Sequence, residues 1–121
     1  MNNFLSEKKY LLSSKSAKKI YNEIKSLPIL DPHNHANVAE INANQHYTDI
    51  WQLFAATDHY IWELMRKRYV PETHITGTAE NNEKWMKLCS VFPEFAGNPA
   101  YEWMHLDLRR YLNIQDLICP E

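Results

Sequence analysis

Glycine is scarce, with 2 in 121 residues against about 8 at average usage. That shortage argues against a turn-rich β protein. Cysteine is equally sparse. Cys89 and Cys119 lie far apart and form no CxxC. A reduced compartment suits both thiols, as small apolar fillers. No apolar run approaches the roughly 20 residues of a membrane span. The start, MNNFLSEKKYLLSS, has no charged n-region, apolar core and small-residue cleavage site. A cytoplasmic location is therefore expected. Net charge is also small, at −2 from 13 basic and 15 acidic residues. With the two signs interspersed, neither nucleic acid nor a membrane surface is an expected partner. A small anion remains open, because local charge decides its binding.

What is present points to helices packed by aromatic side chains. Hydrophobic residues make up 45% of the chain, with 4 Trp and 7 Tyr. Residues 1–13 read as an extended arm. Ser14 or Ser16 can cap a helix running to about Ser26, with Ala17, Ile20, Tyr21, Ile24 and Leu27 at helical spacing. Pro28 stops it. Ile29-Leu30-Asp31 reads as a short buried strand, ended by Pro32, which cannot donate to a ladder. Helical periodicity then resumes. The spacing predicts a turn of helix at Asn37 to Ile41 and a helix capped by Thr48. Another is capped by Asp58, then a loop follows over 71–79 and a helix from about Ala79 to Val91. Asn98 followed by Pro99 marks the clearest helix start, with Tyr101 and Trp103 counted as core aromatics and the helix running through Tyr111 to about Leu112. A last helical piece is expected from Ile114 to Ile118. One strand cannot make a sheet, so residues 28–31 are expected to be poorly paired or paired with another chain.

Three clusters carry possible chemistry. In Asp31-Pro32-His33-Asn34-His35, alternate side chains of an extended segment share a face. His33 and His35 could then reach one divalent metal, but zinc usually takes at least three protein ligands. In Asp58-His59-Tyr60, local sequence favours a helix cap. The same geometry could also draw an anion to the helix start, with His and Tyr donating to a carboxylate or a sugar oxygen. In Gly97-Asn98-Pro99 with Tyr101, Trp103 and His105, a turn, a cap and a core histidine account for the pattern. His46 and His74 read as surface. Glu40, Glu80 and Glu83 show no pairing that suggests acid–base work.

In order and spacing these segments resemble the uronate isomerase (glucuronate isomerase) family of the amidohydrolase superfamily. Tyr10-Leu11-Leu12-Ser13 and Ala17-Lys18-Lys19-Ile20-Tyr21 look like its opening helix. Pro28 to Asp31 with His33-Asn34-His35 look like its first barrel strand and metal motif. Asp58-His59-Tyr60 with Trp62, Met65 and Arg66 resemble a helix start of that family. Ile75-Thr76-Gly77 and the stretch from Gly97 to Ile114 match further segments. Ala36 departs from the larger apolar residue often found there. The resemblance covers nearly the whole chain but about the first quarter of the family's (β/α)8 barrel. It implies a mainly α chain with residues 1–36 as arm, helix and first barrel strand, and 37–121 as a helical insertion. It also implies an aldose–ketose isomerase of hexuronates, glucuronate to fructuronate and galacturonate to tagaturonate. His33 and His35 would be metal ligands, usually for zinc. Tyr60 would be a substrate contact and catalytic proton shuttle, with His59 at the substrate. The family's aspartate ligand and the arginines that hold the carboxylate have no counterpart in this chain. It is therefore expected to be inactive alone and to bind metal weakly. The competing expectation is a helical module that binds a partner chain, or a metal through self-association as a homo-oligomer.

Overall fold

The structure is a computed structural model and describes residues 5–6, 10–33 and 36–120. Six α-helices are found among these residues: α1 (Lys15–Ile24), α2 (Val38–Ala43), α3 (Ile50–Phe54), α4 (His59–Arg66), α5 (Asn81–Val91) and α6 (Pro99–Leu112). Single 3-10 turns occupy Glu72–His74 and Phe92–Phe95. No described residue is in a strand. None of the helices is long and apolar enough to cross a membrane. The chain divides into two compact units, residues 1–45 and 46–121.

In the first unit, Ser14 rather than Ser16 caps α1, its side chain accepting the Ala17 N–H at 3.0 Å. Asn37 caps α2, and Asn44 ends it in the left-handed region at φ 47°. The described part of the arm is not extended. It turns, with Leu5 and Leu11 at positive φ and the Tyr10 N–H on the Ser6 carbonyl at 2.7 Å. The strand expected at 28–31 does not form. Ile29 and Leu30 are each 93% exposed, and residues 28–33 hold no regular element. A strand exists through a neighbour's donors and acceptors, and no described segment supplies them.

The second unit holds a core built by Trp51, Ile61, Met65, Leu88, Phe92, Phe95, Met104 and Leu108. α5 packs against α3, and the turn after α5 packs against α6. Asp49, not Thr48, caps α3, accepting the Gln52 N–H at 2.8 Å. Thr48 is held outside the helix, its own N–H donating to Gln52 Oε1 at 2.7 Å. The second carboxylate oxygen of Asp49 takes the Asn81 amide at 2.8 Å, so the starts of α3 and α5 are joined. That bond is the main reason the Asp49 carboxyl lies below its usual range.

α4 ends at Arg66, ahead of Pro71. Tyr69 reverses the chain at φ 58°, and the Val70 N–H returns to the Met65 carbonyl at 3.2 Å. Arg66 then grips Glu72 through two bonds of 2.8 and 2.6 Å, and Gly77 folds back onto the 3-10 turn. A side chain at Gly77 would force the backbone to shift, since a Cβ there would lie 2.6 Å from Thr73 Cα. At α6 the Asn98 cap and Pro99 are found as the sequence suggests. The helix expected at 114–118 is absent. Asn113 adopts φ 55° and ends α6, and the Ile114 N–H closes onto the Leu108 carbonyl at 3.0 Å.

Candidate functional site

α4 begins where Asp58 can satisfy the free amides of a helix start. Its Oδ1 accepts the Tyr60 N–H at 2.8 Å and the Ile61 N–H at 3.3 Å. The Trp62 indole N–H donates to the Ala55 carbonyl at 2.7 Å, which ties this first turn to the end of α3. Ile61, Leu64 and Met65 are buried, and they fix the helix about its axis. At helical spacing the opposite side then carries His59, Tyr60, Glu63 and Lys67 outward. The Asp58 carboxylate occupies the amides of Tyr60 and Ile61, so the helix start is capped. What remains for a ligand is the side chains.

The His59 and Tyr60 rings lie 4.2 Å apart between centroids, tilted by 35°. Tyr60 is 63% exposed. Beside it a groove of about 410 Å³ runs between α4 and the start of α6, lined on one side by Tyr60, Glu63 and Lys67 and on the other by Asn98, Pro99 and Trp103. That volume falls within the range of small-molecule sites. Lys67 pairs with Glu63 at 2.6 Å. The lysine's hydrogen bond and charge, with a smaller contribution from His59, hold the Glu63 carboxyl below its usual range. Two aromatic rings and an ion pair around one groove suit a polar molecule with an apolar face.

Trp103 is the groove residue that sequence reasoning placed elsewhere. Counted there as core, it is 62% exposed. Along α6 the buried set is Met104, His105, Leu106 and Leu108. Trp103 stands one position, about 100°, from Met104 on the helical wheel, and that spacing was the available signal. Cys119, expected as a filler, is exposed, whereas Cys89 is buried.

The metal motif lies in the first unit. The Asp31 carboxylate accepts the His33 N–H at 3.0 Å across Pro32, an Asx turn that bends the chain at this point. His33 is exposed. His35 lies outside the described residues. Among the described residues no three His, Cys, Asp or Glu side chains gather to hold a metal ion. A lone imidazole falls short of the three protein ligands of a zinc centre, so the described donor set does not by itself fit one.

Of the remaining candidates, His105 and Glu40 have structural roles. His105 is buried, with its Nδ1 2.7 Å from the Tyr101 carbonyl and its Nε2 3.0 Å from the Ile118 N–H. His46 is exposed, and His74 meets the Thr73 hydroxyl at 3.1 Å. Glu40 accepts the Asn37 amide at 2.9 Å, part of the α2 cap.

A family model described as glucuronate isomerase matches residues 1–121. This chain belongs to that family. The uronate isomerase of Thermotoga maritima is 53% identical over 112 residues, which is 93% of this chain and 25% of that protein. The uronate isomerase of Bacillus pumilus is 42% identical over 119 residues, 98% of this chain and 25% of that protein. A crystal structure of the Thermotoga maritima uronate isomerase is similar over 93% of this chain and 25% of its own, with a TM-score of 0.89 and 51% identity. The chain thus spans about a quarter of the length of the relatives it matches.

Proposed function

We propose that this chain is the N-terminal quarter of an aldose–ketose isomerase acting on hexuronates, glucuronate to fructuronate and galacturonate to tagaturonate. The observation that carries the proposal is the family match over residues 1–121, joined to an exposed Tyr60 held by the Asp58 cap. The reaction moves a proton between two adjacent carbons of the open-chain sugar acid. It requires a group that can give and take a proton at a sugar oxygen. The Tyr60 phenol has that capacity and stands in the open, and the Asp58 cap fixes the helix turn that bears it. His59, its ring beside that of Tyr60, would contact the substrate. His33 and His35 would bind a divalent metal, zinc, in the complete protein, where the metal would polarise a substrate oxygen. The chain alone would not turn over substrate, and the complete protein would work in the cytoplasm.

The test is a coupled assay of ketose formation from glucuronate and galacturonate. It uses the complete protein that carries this segment, its Tyr60→Phe variant and the 121-residue chain. The expected result is turnover by the complete protein, a loss of about 100-fold or more in kcat for Tyr60→Phe and none by the 121-residue chain. A Tyr60→Phe enzyme with parental kcat would remove Tyr60 from proton transfer. A complete protein inactive on both uronates would remove the isomerase reading.

A second reading, a helical module that packs on another polypeptide or on its own copy, draws on one observation. The first unit exposes Ile20, Ile24, Leu27, Ile29 and Leu30, more apolar surface in sequence than a solvated face needs. Solution mass of the 121-residue chain tests it, since a monomer at all concentrations would rule out self-association.

A further inference from the structure

Cys89 and Cys119 line one cavity of about 240 Å³. Cys89 sits on α5 and is buried, 6% exposed, while Cys119 is exposed. They reach the same cavity because segment 113–120 is fastened back onto α6 at two points. The Ile114 N–H bonds the Leu108 carbonyl, and the Ile118 N–H bonds His105 Nε2. Cys119 therefore comes directly after an anchored residue, and the anchor keeps it at the cavity that Cys89 lines. The two sulfurs also feel one another. Burial, and then the charge of an ionised Cys119, pushes the Cys89 thiol up to about 11. Neither thiol has a part in the isomerase reading, so a role for the pair stands or falls independently of it.

We propose that Cys89 and Cys119 are a thiol–disulfide site, closing reversibly into an intrachain bond that fastens segment 113–120 to α5. The oxidant is a low-molecular-weight disulfide of the glutathione class. The exposed Cys119 thiolate attacks one sulfur of the oxidised reagent, forms a mixed disulfide and expels one glutathione thiolate. The Cys89 thiol loses its proton to solvent and attacks the Cys119 sulfur. The second glutathione leaves as thiolate, which takes up a proton. Two protein thiols are oxidised and one glutathione disulfide is reduced to two thiols, so electrons and protons balance. The order of events rests on exposure, since an outside reagent reaches Cys119 first. The second step is the slow one, because little of Cys89 is thiolate at neutral pH, and closure should quicken as pH rises.

The test treats the full reduced chain with oxidised glutathione at about pH 8, blocks remaining thiols, digests without reductant and maps the products by mass spectrometry. The Cys119→Ser variant is run beside it, its folding checked by circular dichroism. The expected product is a single peptide pair joined through Cys89 and Cys119 within a monomer, reversed by dithiothreitol. In Cys119→Ser, Cys89 should stay reduced. A chain that stops with glutathione on Cys119 and a blockable Cys89 would overturn the proposal, as would a bond formed only between two chains. Rapid glutathionylation of Cys89 in folded Cys119→Ser would overturn the assigned order of attack.

Discussion

His105 Nε2 accepts the backbone N–H of Ile118 at 3.0 Å, and this bond decides the protonation state of the ring. The other nitrogen faces the Tyr101 carbonyl at 2.7 Å, an acceptor, so Nδ1 carries the hydrogen and the imidazole is neutral. A proton on Nε2 would set two donors against each other. Burial, the larger influence, lowers the His105 pKa from its ordinary 6.5, and the Arg109 charge adds to this against the opposing Tyr101 bond. The unfolded chain therefore binds a proton before the folded one does. His105 contributes fully above about pH 6.5, and that contribution is lost as pH falls towards the lower folded value. Replacing it by Phe would leave the Ile118 amide without its acceptor, at about 1–3 kcal/mol. Urea unfolding should show the loss, and hydrogen exchange should show faster exchange at Ile118. Unchanged exchange there would mean that the bond does not hold the segment.

Gly77→Ala should destabilise the chain although the residue lies in a loop. The added methyl would stand 2.6 Å from Thr73 Cα and 3.0 Å from the Glu72 carbonyl. Both are backbone atoms that cannot swing aside. A cost of about 1–3 kcal/mol is expected, typical of overpacking, read as a lower urea midpoint at constant m-value. Gly97→Ala provides a contrast. Nothing lies within 4 Å of a Cβ there, but φ is +90°. Its cost is pure backbone strain, about 1 kcal/mol.

The Glu72 carboxylate receives both arms of Arg66 and the Thr76 hydroxyl at 2.5 Å. These bonds, Arg66 first, lower its pKa from 4.5 to about 2. Its contribution to stability is thus present above about pH 4.5 and lost as pH falls towards about 2. The pair is open to solvent, so the effect should be visible mainly in titration. Carboxyl NMR should give a Glu72 midpoint well below the other glutamates, and Arg66→Ala should raise it towards the ordinary range, with the Thr76 bonds still holding it somewhat low. A Glu72 midpoint unchanged by Arg66→Ala would show that the pair is absent in solution.

Elements whose signals are local were legible in the sequence. Asn98-Pro99 and Asp58 each cap the helix that comes after them, because capping is settled within four residues. Elsewhere the outcome differed from the local signal and involved contacts further away. Asp49 displaced Thr48 as a cap, with Asn81 bonded to its other oxygen from 32 positions along the chain. The helical pattern at 114–118 yielded to Asn113 and to an imidazole 13 residues upstream. Ile29 and Leu30 have strand composition but no described strand to pair with. Of the candidate site, the Asp58-His59-Tyr60 turn was legible for the same local reason. The groove beside it was not, because it exists only where α4 meets residues 98–103.

Asp58 joins that turn to stability and offers the cleanest separation of capping from charge. Its Oδ1 takes two amides of α4, and α4 is the shorter wall of the groove that Tyr60 enters. Asn accepts the same bonds with nearly equal preference, and Ala accepts none. Asp58→Ala should therefore lower stability by about 1 kcal/mol. Asp58→Asn should stay within a few tenths of a kcal/mol of the parent, for want of the charge–dipole contribution alone. The amides of Tyr60 and Ile61 should exchange faster in Asp58→Ala and little changed in Asp58→Asn. If both variants lose the same stability, the carboxylate acts through its charge and not as a cap. The orientation of Tyr60 would then need another source than the hydrogen bonds at the start of α4.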